Sequence, residues 1–149
     1  MCSSDLPDRF IDLQHFVEIK PAVNQIETHI FQQQKVAKTY LDKYNCQIES
    51  WGPFAEGRND FFNTPTLKEI GEKYGKSITQ VALRFLLQSD VVVIPKSVRK
   101  ERMQENFNVF DFELTAEEMA TIQDLDQGKS LFFDHQDPET AEFFMTLVK

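Results

Sequence analysis

The stretch VVVIPKSVRKERMQENF, residues 91–107, begins with four β-branched residues, Val91 to Ile94, and a proline. That run predicts a short buried strand ended by Pro95. From about Ser97 the apolar positions Val98, Met103 and Phe107 take helical spacing. Between the two, Lys96, Arg99, Lys100 and Arg102 place four cations within seven residues of a chain whose formal net charge is −8. A basic cluster where a strand's C-terminal end meets a helix N-terminus suits an anion in parallel α/β folds. Free backbone N–H groups and the positive end of the helix dipole point there. The plainer alternative is a solvated helix face on which Glu101 and Glu105 pair the cations. These residues alone leave both open.

Working outward, 149 residues make one ordinary domain, long enough to bury a core. Fourteen phenylalanines predict bulky interior layers. No apolar run approaches the roughly 20 residues of a membrane span. The start, MCSSDLPDRFIDL, lacks the basic end and apolar centre of a signal peptide. Cys2 and Cys46 form no metal-ligand or redox motif, so a reduced, cytoplasmic compartment is expected. The acidic balance argues against nucleic acid as a partner, and one short basic cluster is too small for a duplex footprint.

Along the chain, residues 7–16 predict a helix with Pro7 near its start and Phe10, Leu13 and Phe16 on one face. Residues 21–27 read as a strand. Residues 32–45 read as a helix with the stripe Val36, Tyr40, Leu41 and Tyr44, stopped at Asn45. Residues 46–53 read as a strand closed by Gly52 and Pro53, and a polar loop runs on to Asn63. A helix follows with Thr64 as cap, Pro65 in its first turn and Gly75 as its stop. Ser77 with Gln80, and Thr115 with Glu118, fit capping boxes of two more helices. The tail from Lys129 carries Phe132, Phe133, Phe143 and Phe144 with little regular pattern and is expected to fold over something apolar. Strands alternating with helices predict a parallel sheet.

Four stretches in this order, PAVNQIETH, IESWGPFAEG, IPKSVRKERMQENF and VFDFELTAEEM, identify a family. The chain resembles the C-terminal half of an aldo/keto reductase, most like the bacterial 2,5-diketo-gluconate-reductase-type branch, over nearly its whole length. The resemblance implies an α/β fold: a partial (β/α)8 TIM barrel, about the last three strand–helix units plus a C-terminal helix and tail. Residues 1–149 would then be an NADP-dependent oxidoreductase domain, a C-terminal fragment of that barrel. The family binds NADPH at the C-terminal face of the strands, where barrel sites lie.

Carried over residue by residue, the resemblance puts Lys96 and Arg102 on the 2′-phosphate of NADPH. It puts Ser97 and Val98 on the same phosphate and ribose, and Glu105 and Asn106 at the adenine. A phosphate dianion suits a bidentate Arg, a Lys point charge and a helix N-terminus together. Gln25 matches the residue that pairs with the nicotinamide carboxamide, a task a side-chain amide can do as donor and acceptor at once. Trp51 matches the aromatic ring that stacks on nicotinamide. Gly52, Pro53 and Phe54 match the turn along the pyrophosphate. Many relatives have Ser where Gly52 stands, which leaves backbone contact only. At the N-terminus Ser3 stands for the family's Ser, but Ser4 replaces an Asn and Asp5 an aromatic residue.

The family's catalytic Tyr, Lys, Asp and His all lie in the first half of its barrel. Tyr40, Tyr44 and Tyr74 are not in that context and read as helix-face residues. His15, His29 and His135 are scattered, form no metal cluster, and His29 is expected in a surface loop. No catalytic residue and no metal ligand is therefore assigned. The implied function is NADPH-dependent reduction of a small carbonyl substrate, with this chain carrying the cofactor-binding half. The alternative is an inactive fragment or pseudo-enzyme that at most binds a dinucleotide or a partner. A phosphate-handling barrel isomerase or aldolase is disfavoured, because Trp51 and Gln25 suit nicotinamide better than a sugar phosphate. A three-stranded piece leaves two unpaired edges and is expected to self-associate.

Overall fold

A computed structural model describes residues 6–134 and 136–147 of the chain. Helix α1 (Pro7–Phe16) leads into strand β1 (Val23–Glu27), α2 (Lys35–Lys43) and β2 (Gln47–Trp51). A run of tight turns, Ala55–Asn63, precedes α3 (Pro65–Tyr74) and α4 (Ile78–Gln88). Strand β3 (Val92–Val93), α5 (Lys100–Phe107), α6 (Ala116–Gln123) and α7 (Pro138–Thr146) complete the order. The strands lie in the order β1-β2-β3, all parallel, with Gln25 opposite Glu49 and Glu27 opposite Trp51.

Capping signals decide the helix starts. Ser77 accepts the Gln80 N–H while the Gln80 side chain takes the Ser77 N–H, and Thr115 and Glu118 repeat the arrangement. Thr64 departs from its expected role. Its hydroxyl donates backward to the Phe61 carbonyl at 2.8 Å and caps nothing ahead of it, so the rigid φ of Pro65 starts α3.

The core lies on one face of the sheet. Ile26 and Ile48 meet Leu41, Leu67, Val81, Phe85 and Leu86 of the helices there. On the other face Val23, Gln25 and Val92 are solvent-exposed. Parallel sheets are ordinarily covered on both faces. Here the second face is open along most of its length and covered only at Glu27 and Trp51, where residues 130–132 lie against it. Strand β3 pairs over two residues rather than the four expected; Val91 is buried while Val92 and Ile94 are exposed. On α1 Phe10 is buried and Leu13 and Phe16 are not; on α2 Leu41 is buried and Val36 and Tyr40 are not.

Helix α5 shows the largest departure. Its expected apolar face, Val98, Met103 and Phe107, is exposed, Val98 at 88% and Phe107 at 77%. Polar bonds hold the helix instead: Gln80 Nε2 donates to the carbonyls of Glu105 and Asn108 at 3.2 and 2.8 Å. The tail also gains structure where none was expected. Asp137 accepts the N–H groups of Glu139 and Thr140 and starts α7, and Phe144 of that helix packs on Phe133.

The turn between α3 and α4 gives a stability test. A Cβ on Gly71 would come 2.3 Å from the carbonyl oxygen of Lys76, which is backbone and cannot swing aside. Helix propensity favours Ala over Gly by about 1 kcal/mol. The clash dominates, so Gly71→Ala is expected to lower stability by about 1–3 kcal/mol, read as a lower urea midpoint.

Candidate functional site

The segments that leave the C-terminal ends of β2 and β3 converge on one cleft of about 590 Å³. Gly52, Pro53 and Phe54 form one wall. Gly52 takes a left-handed conformation (φ 66°), and its carbonyl accepts the Ala55 N–H at 2.7 Å, which turns the chain out of the strand. Lys96 and Ser97 form the opposite wall, and Arg102, Glu105 and Asn106 close the cleft from α5. Eight of the twelve residues that the sequence pointed to thus line one cavity.

Its electrostatics follow from what the cations do not touch. Among the described residues, Lys96, Arg99, Lys100 and Arg102 have no ion-pair partner. The expected alternative, a face paired by Glu101 and Glu105, is therefore not what forms. Glu105 instead accepts hydrogen bonds from the hydroxyls of Ser77 and, at 3.2 Å, Thr79 at the start of α4. The N-terminus of α5 has no side-chain cap. Ser97 Oγ accepts the Arg99 N–H at 3.1 Å and shapes the entry to the helix. Of the four, Lys96 and Arg102 line the cleft, beside a helix N-terminus whose N–H groups no side chain caps.

The remaining sequence-derived residues stand apart from this cleft. Gln25 lies on the open face of the sheet and donates to Glu49 Oε1 at 2.6 Å across the β1–β2 register. Trp51, at the end of β2, sits half-buried beside Phe132, with ring centroids 4.8 Å apart. Val98 points to solvent. Ser3, with Ser4 and Asp5, lies outside the described residues.

One polar cluster was not anticipated. His29, expected in a surface loop, is fully buried at 0% exposure. Its Nδ1 accepts the N–H groups of Phe31 and Gln32, so Nε2 carries the proton and donates to Glu27 at 2.9 Å. Burial alone would raise the Glu27 carboxyl. Hydrogen bonds from His29, Ser130 and the Leu131 N–H outweigh it and hold the group below the usual carboxylate range. The signal was the spacing Glu27-x-His29 at a strand end, but the partner, Ser130, is too far along the chain to suggest itself.

The tyrosines are committed elsewhere. Tyr74 donates to Glu118 at 2.7 Å between α3 and α6; that bond, with some desolvation, raises its pKa. Tyr44 packs edge-on against Phe10 and His15. Among the described residues no group of His, Cys, Asp and Glu could hold a metal ion, and no helix is long and apolar enough to cross a membrane.

A model described as "Aldo/keto reductase family" matches residues 11–127. The chain is similar to the methylglyoxal reductase DkgA of Escherichia coli, with 42% identity over 113 residues, 76% of this chain and 41% of the relative. Among solved structures it is similar to an aldo-keto reductase from a Medee basin deep-sea metagenome library. There the TM-score is 0.80 at 34% identity, over 87% of this chain and 48% of the other. A variant of Gox0644 in complex with NADPH matches with TM-score 0.79 and 33% identity, over 85% of this chain and 46% of that one. The chain thus spans less than half the length of the relatives it matches.

Proposed function

The chain belongs to the aldo/keto reductase family, and from that premise we propose that its 149 residues are the NADP(H)-binding part of an oxidoreductase that reduces small aldehydes or ketones to alcohols. One observation carries this: four unpaired cations gathered beside the uncapped N-terminus of α5, in a protein of net charge −8. That set fits a phosphate dianion. Lys96 and Arg102 would hold the 2′-phosphate, with Ser97 and Val98 beside it. Glu105 and Asn106 would meet the adenine, and Gly52, Pro53 and Phe54 would run along the pyrophosphate. Trp51 would stack on the nicotinamide and Gln25 would pair with its carboxamide; Ser3 would assist there. When bound, the cofactor supplies the hydride. These residues supply orientation and charge.

The one-sided sheet supports a second reading, a fragment without activity that binds a dinucleotide or a partner. Strands β1 and β3 are both edges among the described residues, and the apolar side chains Val23 and Val92 stand exposed on them. Open parallel edges invite pairing. The isolated chain is expected to self-associate. Sedimentation of a strict monomer with a sharp, cooperative melt would count against that. The free, buried thiol of Cys46 suits a reducing, cytoplasmic compartment.

The cofactor assignment is tested by titrating the chain with NADPH and NADH and following cofactor fluorescence. The extra phosphate meets two charge-assisted donors, each worth roughly 1.5–3 kcal/mol, so NADPH should bind at least about tenfold more tightly. Equal affinity for the two, or none for NADPH, overturns the assignment.

A further inference from the structure

The segment before α7 is fastened over the chain's single tryptophan from two sides. On the sheet side, Glu27 accepts the Ser130 hydroxyl at 2.5 Å and the Leu131 N–H at 3.0 Å. Its third partner, His29, holds the carboxylate in place from beneath. Ser130 Oγ in turn accepts the N–H groups of Phe132 and Phe133 at 3.0 and 3.1 Å and bends the chain there. On the far side, Arg58 donates to the Leu131 carbonyl at 2.8 Å, and its guanidinium carbon lies 4.2 Å from the centre of the Phe132 ring. Phe132 is thereby pressed onto Trp51, edge-on at 61°. It also lies over Gly52, where an added Cβ would meet its ring at 3.8 Å.

We infer that residues 130–133 form a strap that covers Trp51 in the resting chain, latched by Glu27, Ser130 and Arg58. Phe132 occupies the space against Trp51 that a flat heteroaromatic ring needs, so the strap has to lift before such a ring can stack. That a ring stacks on Trp51 rests on the cofactor assignment above; that the strap covers Trp51 does not. The construction suits a part that opens. Leu131, Phe132 and Phe133 are only half-buried, Arg58 is exposed, and apart from Leu131, which rests against the core, polar bonds and ring contacts hold the segment.

Because Trp51 is the only tryptophan, its emission reports the strap directly. The experiment compares acrylamide quenching of the native chain, Phe132→Ala, and the double variant Ser130→Ala with Arg58→Ala. Phe132→Ala sets the uncovered limit. The double variant removes the three hydrogen bonds of the Ser130 hydroxyl on one side and the Arg58 hydrogen bond and ring contact on the other, and should shift the closed-to-open ratio by about tenfold or more. Neither Ser130 nor Arg58 belongs to the core, so the double variant keeps the fold; Glu27→Gln, which disturbs buried His29 as well, is a supporting case only. The quenching constant should rise about two- to threefold in both variants. A native chain quenched as readily as Phe132→Ala overturns the strap. A double variant indistinguishable from the native chain overturns the latch.

NADPH titration of the same proteins separates a strap from a fixed wall. Unlatching should tighten NADPH by up to about tenfold, because a larger fraction of the chain is then competent to bind. Equal affinity overturns the occlusion. No NADPH binding by any form overturns the cofactor assignment instead, and the acrylamide comparison still decides whether Trp51 is covered.

Discussion

NADPH oxidation by the 149-residue chain, assayed with a reactive aldehyde such as a nitrobenzaldehyde, is expected to stay at background. Hydride transfer to a carbonyl leaves charge on oxygen unless an acid protonates it. Such help is typically worth 10²–10⁴-fold, and alignment of the reactants contributes more, up to roughly 7–11 kcal/mol. Among the described residues the structure offers no such acid beside Trp51. The Tyr74 proton is held by Glu118 in the α3–α6 contact. Tyr44 is packed between Phe10 and His15. His29 is buried with both ring nitrogens engaged, and Glu27 next to it is kept ionised. The open face of the sheet would also leave one side of a bound nicotinamide to water. Turnover above background that disappears in Trp51→Ala or Lys96→Ala, with protein free of host reductases, would sink this expectation and reveal an acid within these residues.

The second large effect is on cofactor choice. Arg102→Ala is expected to weaken NADPH about tenfold or more while changing NADH little, because only NADPH carries the phosphate that the guanidinium would meet. Combining it with Lys96→Ala should bring the loss to about a hundredfold if the two contacts are independent. Neither side chain is ion-paired among the described residues. Removing either therefore strands no buried partner and leaves the fold alone, which keeps the comparison a test of binding. The NADPH preference should also shrink with added salt, since these cations are solvent-exposed. Equal losses for NADPH and NADH would place the phosphate elsewhere.

Much of the cleft was legible in advance for a local reason. Lys96 and Arg102 are close in sequence, and a strand end followed by a helix start is written in the Val91–Pro95 run and the residues after it. What could not be read was the fate of their neighbours. Glu105 looked like a counter-ion for the cations; it is taken instead by Ser77 and Thr79, from a helix more than twenty residues earlier. Val98, Met103 and Phe107 looked like a core stripe. They are exposed because nothing covers that side of α5 among the described residues.

The sequence by itself determined the features that depend on a few adjacent residues: the parallel strand–helix order, both capping boxes, the stop at Gly75 and the basic loop after β3. Periodicity and caps act within about one helical turn, so no tertiary knowledge is needed to see them. Only the tertiary structure decided which faces are covered, that His29 is interior, and that Phe132 lies on Trp51. Each of these rests on contacts between distant segments. The bond from Ser130 to Glu27, for example, joins residues 103 positions apart. A hydrophobic pattern states that a side chain prefers burial. Whether it is buried depends on what the fold brings against it.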